Sequence, residues 1–228
     1  MIARAVILCL AGTMIYATLR YQVFGTSAWS QLPLWTANKA VSFASAILLA
    51  SAYLTRDRWR ACRFGLSGFA LAILHGLMSM PLLSPAYYAK LYDGARLSWT
   101  GELCMLGGCL AIVLLLAPAI TSAPAIRAGM QHTDWLRWQR VGYLALVITA
   151  VHVMALGTSA WVEPRTWPGG LPPITLLSTA VLALPLLLKL VRAARTASPD
   201  TASAAARQPE MLASARGTSL PHQRPTSN

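Results

Sequence analysis

Four stretches of this chain, 64–89, 103–126, 141–162 and 166–188, contain no Asp, Glu, Lys or Arg. A surface helix of a soluble domain needs a charged or polar face along its whole length. These stretches have none, and each can hold the roughly 20 apolar residues that cross the hydrocarbon of a bilayer. Two shorter uncharged runs, 5–19 and 40–55, are bounded by the single basic residues Arg4, Arg20, Lys39 and Arg56. Long basic side chains at helix ends can carry their charge out to the headgroups. The expected fold class is therefore an all-α membrane protein, a bundle of six transmembrane helices over about 5–19, 35–54, 64–83, 99–120, 139–157 and 172–191. Composition agrees: 56% of residues are hydrophobic and 11% charged, against about 25% charged in a soluble domain.

The formal charge of +12 raises the question of nucleic acid. Its distribution answers it. Arg56, Arg58, Arg60 and Arg63 precede the third run, Arg127, Arg137 and Arg140 precede the fifth, and Lys189, Arg192 and Arg195 follow the sixth. The alternate loops hold only Arg20, Lys39, Lys90, Arg96 and Arg165. That asymmetry predicts the first set, and both termini, on the cytoplasmic side. No nucleic-acid motif accompanies the basic residues, so no nucleic-acid partner is expected. The partner of most of the surface is lipid.

Arg4 before a short apolar run resembles the start of a signal peptide, but no clean small-x-small cleavage site follows, and a retained first helix is expected. From residue 196 the chain is rich in Ala, Ser, Thr and Pro, with few large apolar residues. The division expected is a membrane domain over 1–195 and a disordered cytoplasmic tail over 196–228. Cys9, Cys62, Cys104 and Cys109 make no C-x-x-C pattern. Covalent c-type haem and iron–sulfur clusters are thus unsupported, and small packing residues are the expectation. No glycine-rich nucleotide fingerprint or catalytic nucleophile constellation is visible. The chain alone is not expected to be a complete enzyme.

Of four histidines, His132 and His222 fall in a loop and in the tail and are expected to be solvated. His75 and His152 lie inside membrane runs, where an ionisable residue is a functional candidate by default. His75 stands twelve residues after Arg63, and His152 twelve residues after Arg140. Twelve helical residues rise about 18 Å. The third and fifth helices run the same way, so both imidazoles are predicted at one depth, outside the bilayer centre. Two histidines at one level can grip a flat metal cofactor from both faces, and a bis-histidine haem meets that description. The simpler alternative is an interhelical hydrogen bond from each ring.

The stretches "RACRFGLSGFALAILH", "APAITS" and "DWLRWQRVGYLALVITAVH" together resemble the ferric reductase-like transmembrane domain family over about residues 36–192. Within it the likeness is greatest to the haem-binding membrane subunits of periplasmic methionine sulfoxide reductase systems. The resemblance implies a six-helix cytochrome b-type bundle in a bacterial-type inner membrane. It implies electron transfer through b-type haem, with His75 and His152 as the iron ligands, to an outer-side acceptor such as a periplasmic reductase.

The family also carries a histidine near the inner end of the fifth helix. Here Trp135 and Arg140 frame that slot, which reads Gln139. An amide oxygen is a poor haem-iron ligand, so a single haem b is expected, with electrons supplied by a quinol or another donor. Gln139 could instead bond a haem propionate or a quinone headgroup, or be an interfacial polar residue. Arg63 and Arg140 suit propionates or lipid phosphates, since a guanidinium makes two-pronged contacts. The competing reading is a haem-free scaffold or quinone-site anchor that keeps the fold without electron transfer.

Overall fold

A computed structural model describes residues 2–196; the predicted tail lies outside them, apart from Thr196. Among the described residues six helical segments are long and apolar enough to cross a membrane: Ile2–Val23, Trp29–Leu54, Arg58–Leu82, Trp99–Ser122, His132–Trp161 and Pro168–Thr196. The chain is an all-α six-helix bundle, and its helix lengths and hydropathy are those of a multi-pass membrane protein. The α-helices in chain order are α1 (Ile2–Thr18), α2 (Ala37–Leu54), α3 (Arg58–Ser79), the short α4 (Pro85–Tyr88), α5 (Trp99–Ser122), the short α6 (Pro124–Ala128), α7 (His132–Trp161) and α8 (Ile174–Thr196).

Local chemistry sets the helix starts. The Asp57 carboxylate caps α3 by accepting from the backbone N–H groups of Trp59 (2.9 Å) and Arg60 (3.2 Å), which satisfies donors the first turn leaves unpaired. The Ser98 hydroxyl does the same for α5 through Gly101. The segment between α4 and α5 folds into a two-residue hairpin, β1 (Tyr92–Asp93) with β2 (Arg96–Leu97). Its turn holds Gly94 at φ 62°, a conformation that costs a glycine little.

The fifth span departs from expectation. The uncharged run begins at residue 141, and the loop 121–138 was the predicted connection. Instead α6 occupies part of that loop and α7 starts at His132. Asp134, Arg137 and Arg140 interrupt the apolar run without interrupting the helix, because they sit on turns with a polar side: all but Asp134 are exposed. Cys62, expected in a loop, is likewise buried within α3.

Two sequence-adjacent helix pairs, α2 with α3 and α5 with α7, make the most extensive contacts. In the first pair the Ser45 hydroxyl donates to the Gly68 carbonyl at 2.8 Å. A Cβ at Gly68 would lie 2.9 Å from Leu49, so glycine permits the close approach. The core joins both pairs through Ala46, Leu49, Leu115, Ala145, Leu146 and Leu182. Outward faces stay apolar: Leu8, Leu106, Val113 and Val151 are all exposed. Side chains of that kind belong against lipid tails. Contacts divide the chain after Leu186, and the last turns of α8 form a separate unit.

Candidate functional site

The first turns of α3 and α7 share one end of the bundle: the Arg58 guanidinium bonds the His132 ring, and the Tyr53 hydroxyl, at the end of α2, reaches the Gln139 carbonyl at 3.4 Å. α3 and α7 therefore run in the same direction, as the matched spacing requires. His75 and His152 both lie towards the opposite end, and their rings are within electrostatic reach of each other.

Each imidazole is held by one ring nitrogen. Around His75 the bonds form a closed circuit. The Ser79 hydroxyl donates to the His75 carbonyl at 2.7 Å, so its oxygen accepts from the Asn38 amide nitrogen at 2.9 Å. That turns the Asn38 carbonyl oxygen toward His75 Nδ1, at 2.7 Å. An amide oxygen only accepts, so Nδ1 carries the proton and Nε2 keeps its lone pair. Asn38 is fully buried. Tyr88 also lies within hydrogen-bonding reach of Asn38, and burial pushes its phenol up to about 12, so it stays protonated.

His152 is held in the same way by a different partner. Its Nδ1 lies 2.6 Å from the Cys104 carbonyl oxygen. A carbonyl accepts, so here too Nδ1–H donates and Nε2 is left basic. The Cys104 thiol stands 3.4 Å from the same nitrogen. α5 gives the ring room: a Cβ at Gly108 would sit 3.1 Å from His152 Cε1, and one at Gly107 3.5 Å from its Cβ. Orientation of a ligand histidine by a hydrogen bond from its far nitrogen is how metal-binding imidazoles are normally fixed.

These features fit a haem held by two histidine ligands. In its neutral form each ring has Nε2 unspent, and the glycine pair lets the His152 ring lie close against α5. Among the described residues no three His, Cys, Asp or Glu side chains cluster as a metal site. α3 and α7 have no extensive contact with each other; α5 packs against both.

The other expected residues are not brought to the histidines. Arg63 is exposed, with its guanidinium 4.0 Å from the centre of the Trp59 ring. Arg140 is exposed at the same end of the bundle. Gln139 lines a cavity of about 360 Å³ between the two helix pairs, together with Tyr53, Cys62, Trp135, Tyr143 and His132. Its amide nitrogen donates to the Pro118 carbonyl (3.3 Å), the Thr121 hydroxyl (3.2 Å) and the Ser122 hydroxyl (3.3 Å). Pro118 stands inside α5, where proline removes a backbone donor. Gln139 thus ties α7 to the last turns of α5 around Pro118.

His132, expected to be an ordinary loop residue, opens α7 and stacks on Trp135 with ring centres 6.0 Å apart. It lies on the same helical face as Gln139, seven residues on. Asn38, Ser79 and Cys104 were missed as partners of the histidines. The one readable sign was Asn38 itself, a polar residue beside the apolar run 40–55. No family model matches the chain, and none of the curated proteins compared with it does.

Proposed function

We propose that this chain is an integral membrane b-type cytochrome that passes electrons across the bilayer as a subunit of a reductase system. One observation carries the reading. Two intramembrane imidazoles, on helices running the same way, lie within electrostatic reach of each other, and each spends Nδ1–H on a buried acceptor, which in the neutral ring leaves Nε2 for a ligand. A bound haem would supply one-electron redox chemistry there. His75 and His152 would be its two protein ligands, a set that suits electron transfer rather than oxygen binding. Asn38 and the Cys104 carbonyl would fix the two rings, and the surrounding apolar helices would exclude water. The cavity at Gln139 is the place for an electron donor of the quinol type, with His132 and Gln139 as polar groups at its wall. The acceptor would dock at the opposite end, on the segments 84–98 and 158–171. The Lys/Arg asymmetry supports the arginine-rich end, and the termini, as cytoplasmic in a bacterial-type inner membrane. The resemblance to the ferric reductase-like domain points the same way.

The haem-free scaffold is the second reading, and the bracing bonds of Gln139 favour it at that position: the amide serves helix packing. Purification of the full-length protein decides between the two. The proposal expects a low-spin haem b spectrum at one haem per chain, lost in His75→Ala and His152→Ala variants that still insert and fold. A colourless protein expressed with adequate haem supply refutes it.

A further inference from the structure

We infer that Arg20 and Lys39 form a carboxylate-binding end of the haem site, a reading that rests on the bis-histidine haem proposed above. Arg20 lies in the π-helical turn that closes the first span, Leu19–Val23, and is only 6% exposed. Among the described residues its Nε and Nη1 atoms have no hydrogen-bond partner. A buried guanidinium with idle donors is costly unless something anionic meets it.

The neighbouring charges deepen the deficit. Lys39 directly follows Asn38, the residue that anchors His75, and its ammonium lies within electrostatic reach of that imidazole and of Arg20. It faces three rings, Trp35 at 4.5 Å, Tyr88 at 5.3 Å and Tyr21 at 5.5 Å from their centres. The Tyr21 ring also lies 5.6 Å from the Arg20 guanidinium carbon. Lys90, also within electrostatic reach of Lys39, donates to the Leu156 carbonyl, one turn beyond His152. Aromatic faces ease a cation's burial without neutralising it.

Among the described residues no carboxylate forms an ion pair with these cations. The two ion pairs among the described residues, Asp57–Arg60 and Asp134–Arg137, lie at the other end of the bundle. On this reading an anion from outside the chain balances the cations. It must be reachable from the level of the histidines and must tolerate aromatic surroundings. The two propionates of a b-type haem have that chemistry, and a guanidinium fork matches a carboxylate. The phosphate of a membrane lipid is the other anion at this depth. Arg63 and Arg140, the arginines first matched to propionates, stand twelve helical residues away from the imidazoles, about 18 Å along the axis.

Reconstitution of the full-length apoprotein with iron protoporphyrin IX and with its dimethyl ester tests the assignment. The wild type should bind the diacid more tightly than the diester by on the order of ten- to a hundredfold, the usual worth of charge-assisted hydrogen bonds. Arg20→Gln and Lys39→Gln should each shrink that gap by weakening the diacid alone, and Arg20→Lys should restore part of it. Circular dichroism checks folding, and if Arg20→Gln does not fold, Lys39→Gln carries the comparison. An undiminished gap in the folded variants, with the low-spin spectrum intact, overturns the carboxylate assignment and leaves the bis-histidine reading standing. So does equal binding of both porphyrins by the wild type; lipid phosphorus lost on Arg20→Gln would then show that the cations serve a lipid. A wild type that binds neither porphyrin overturns both readings together.

Discussion

His75 and Asn38 lie 37 residues apart in the chain and 2.7 Å apart in space, and the direction of their hydrogen bond decides which imidazole nitrogen is basic. Asn38→Leu removes the acceptor, frees the ring to rotate and lets the proton move to Nε2. Loss of such an outer partner typically costs 10–100-fold in metal affinity. The expected result is weaker haem retention of about that size, measured by haem transfer to a competing apoprotein. Asn38→Asp, which keeps an acceptor, should retain more haem than Asn38→Leu; equal retention would show that the bond does not orient His75.

Gly108 faces the His152 ring, and an added Cβ would stand 3.1 Å from Cε1. Gly108→Ala is tight enough to make the imidazole give by a few tenths of an ångström, and Gly108→Val needs it to move. The spectrum should shift away from the low-spin form in the order Gly, Ala, Val. A Gly108→Val protein with wild-type spectrum and midpoint potential would place the cofactor elsewhere.

Gln139 makes its bonds to the last turns of α5, around Pro118. Interhelical hydrogen bonds in membranes average about 0.6 kcal/mol, so Gln139→Leu should lower stability by about 1 kcal/mol in a detergent unfolding titration and leave binding of the haem proposed at His75 and His152 unchanged. Gln139→His puts a nitrogen donor at the cavity wall. Recruitment of a second haem is the expected outcome, read from the haem-to-protein ratio. Two haems in the unmodified protein would mean that another residue at the cavity is a ligand.

The arginine-rich end is expected to face the cytoplasm. Reporter fusions near 58, 130 and 200 should read inside, and those near 90 and 165 outside. An outside reading at 130 would reverse α7 and contradict its shared direction with α3.

The number and class of helices could be read from charge-free length alone, because the bilayer demands a minimum run of apolar residues and little else. The start of α7 could not, since a helix leaving the membrane becomes amphipathic and its polar turns, here Arg137 and Arg140, read as loop. His75 and His152 were legible as ionisable residues in apolar runs. Their partners were not: Asn38 and Cys104 stand 37 and 48 residues away in the chain. One binds through a side-chain amide and the other through a main-chain carbonyl that every residue possesses. The cavity at Gln139 was hidden for the same reason, as its wall comes from four helices.

The two most closely packed units are hairpins, α2 with α3 and α5 with α7. Each is made of neighbouring spans, and each carries one of the two histidines. During synthesis the first hairpin can insert and close before the second exists. A cofactor held by His75 and His152 would then be the last piece set, bridging the seam between two halves already formed. Its loss would loosen the joint and leave each hairpin whole, so cofactor supply would govern the pairing of the halves more than the folding of either.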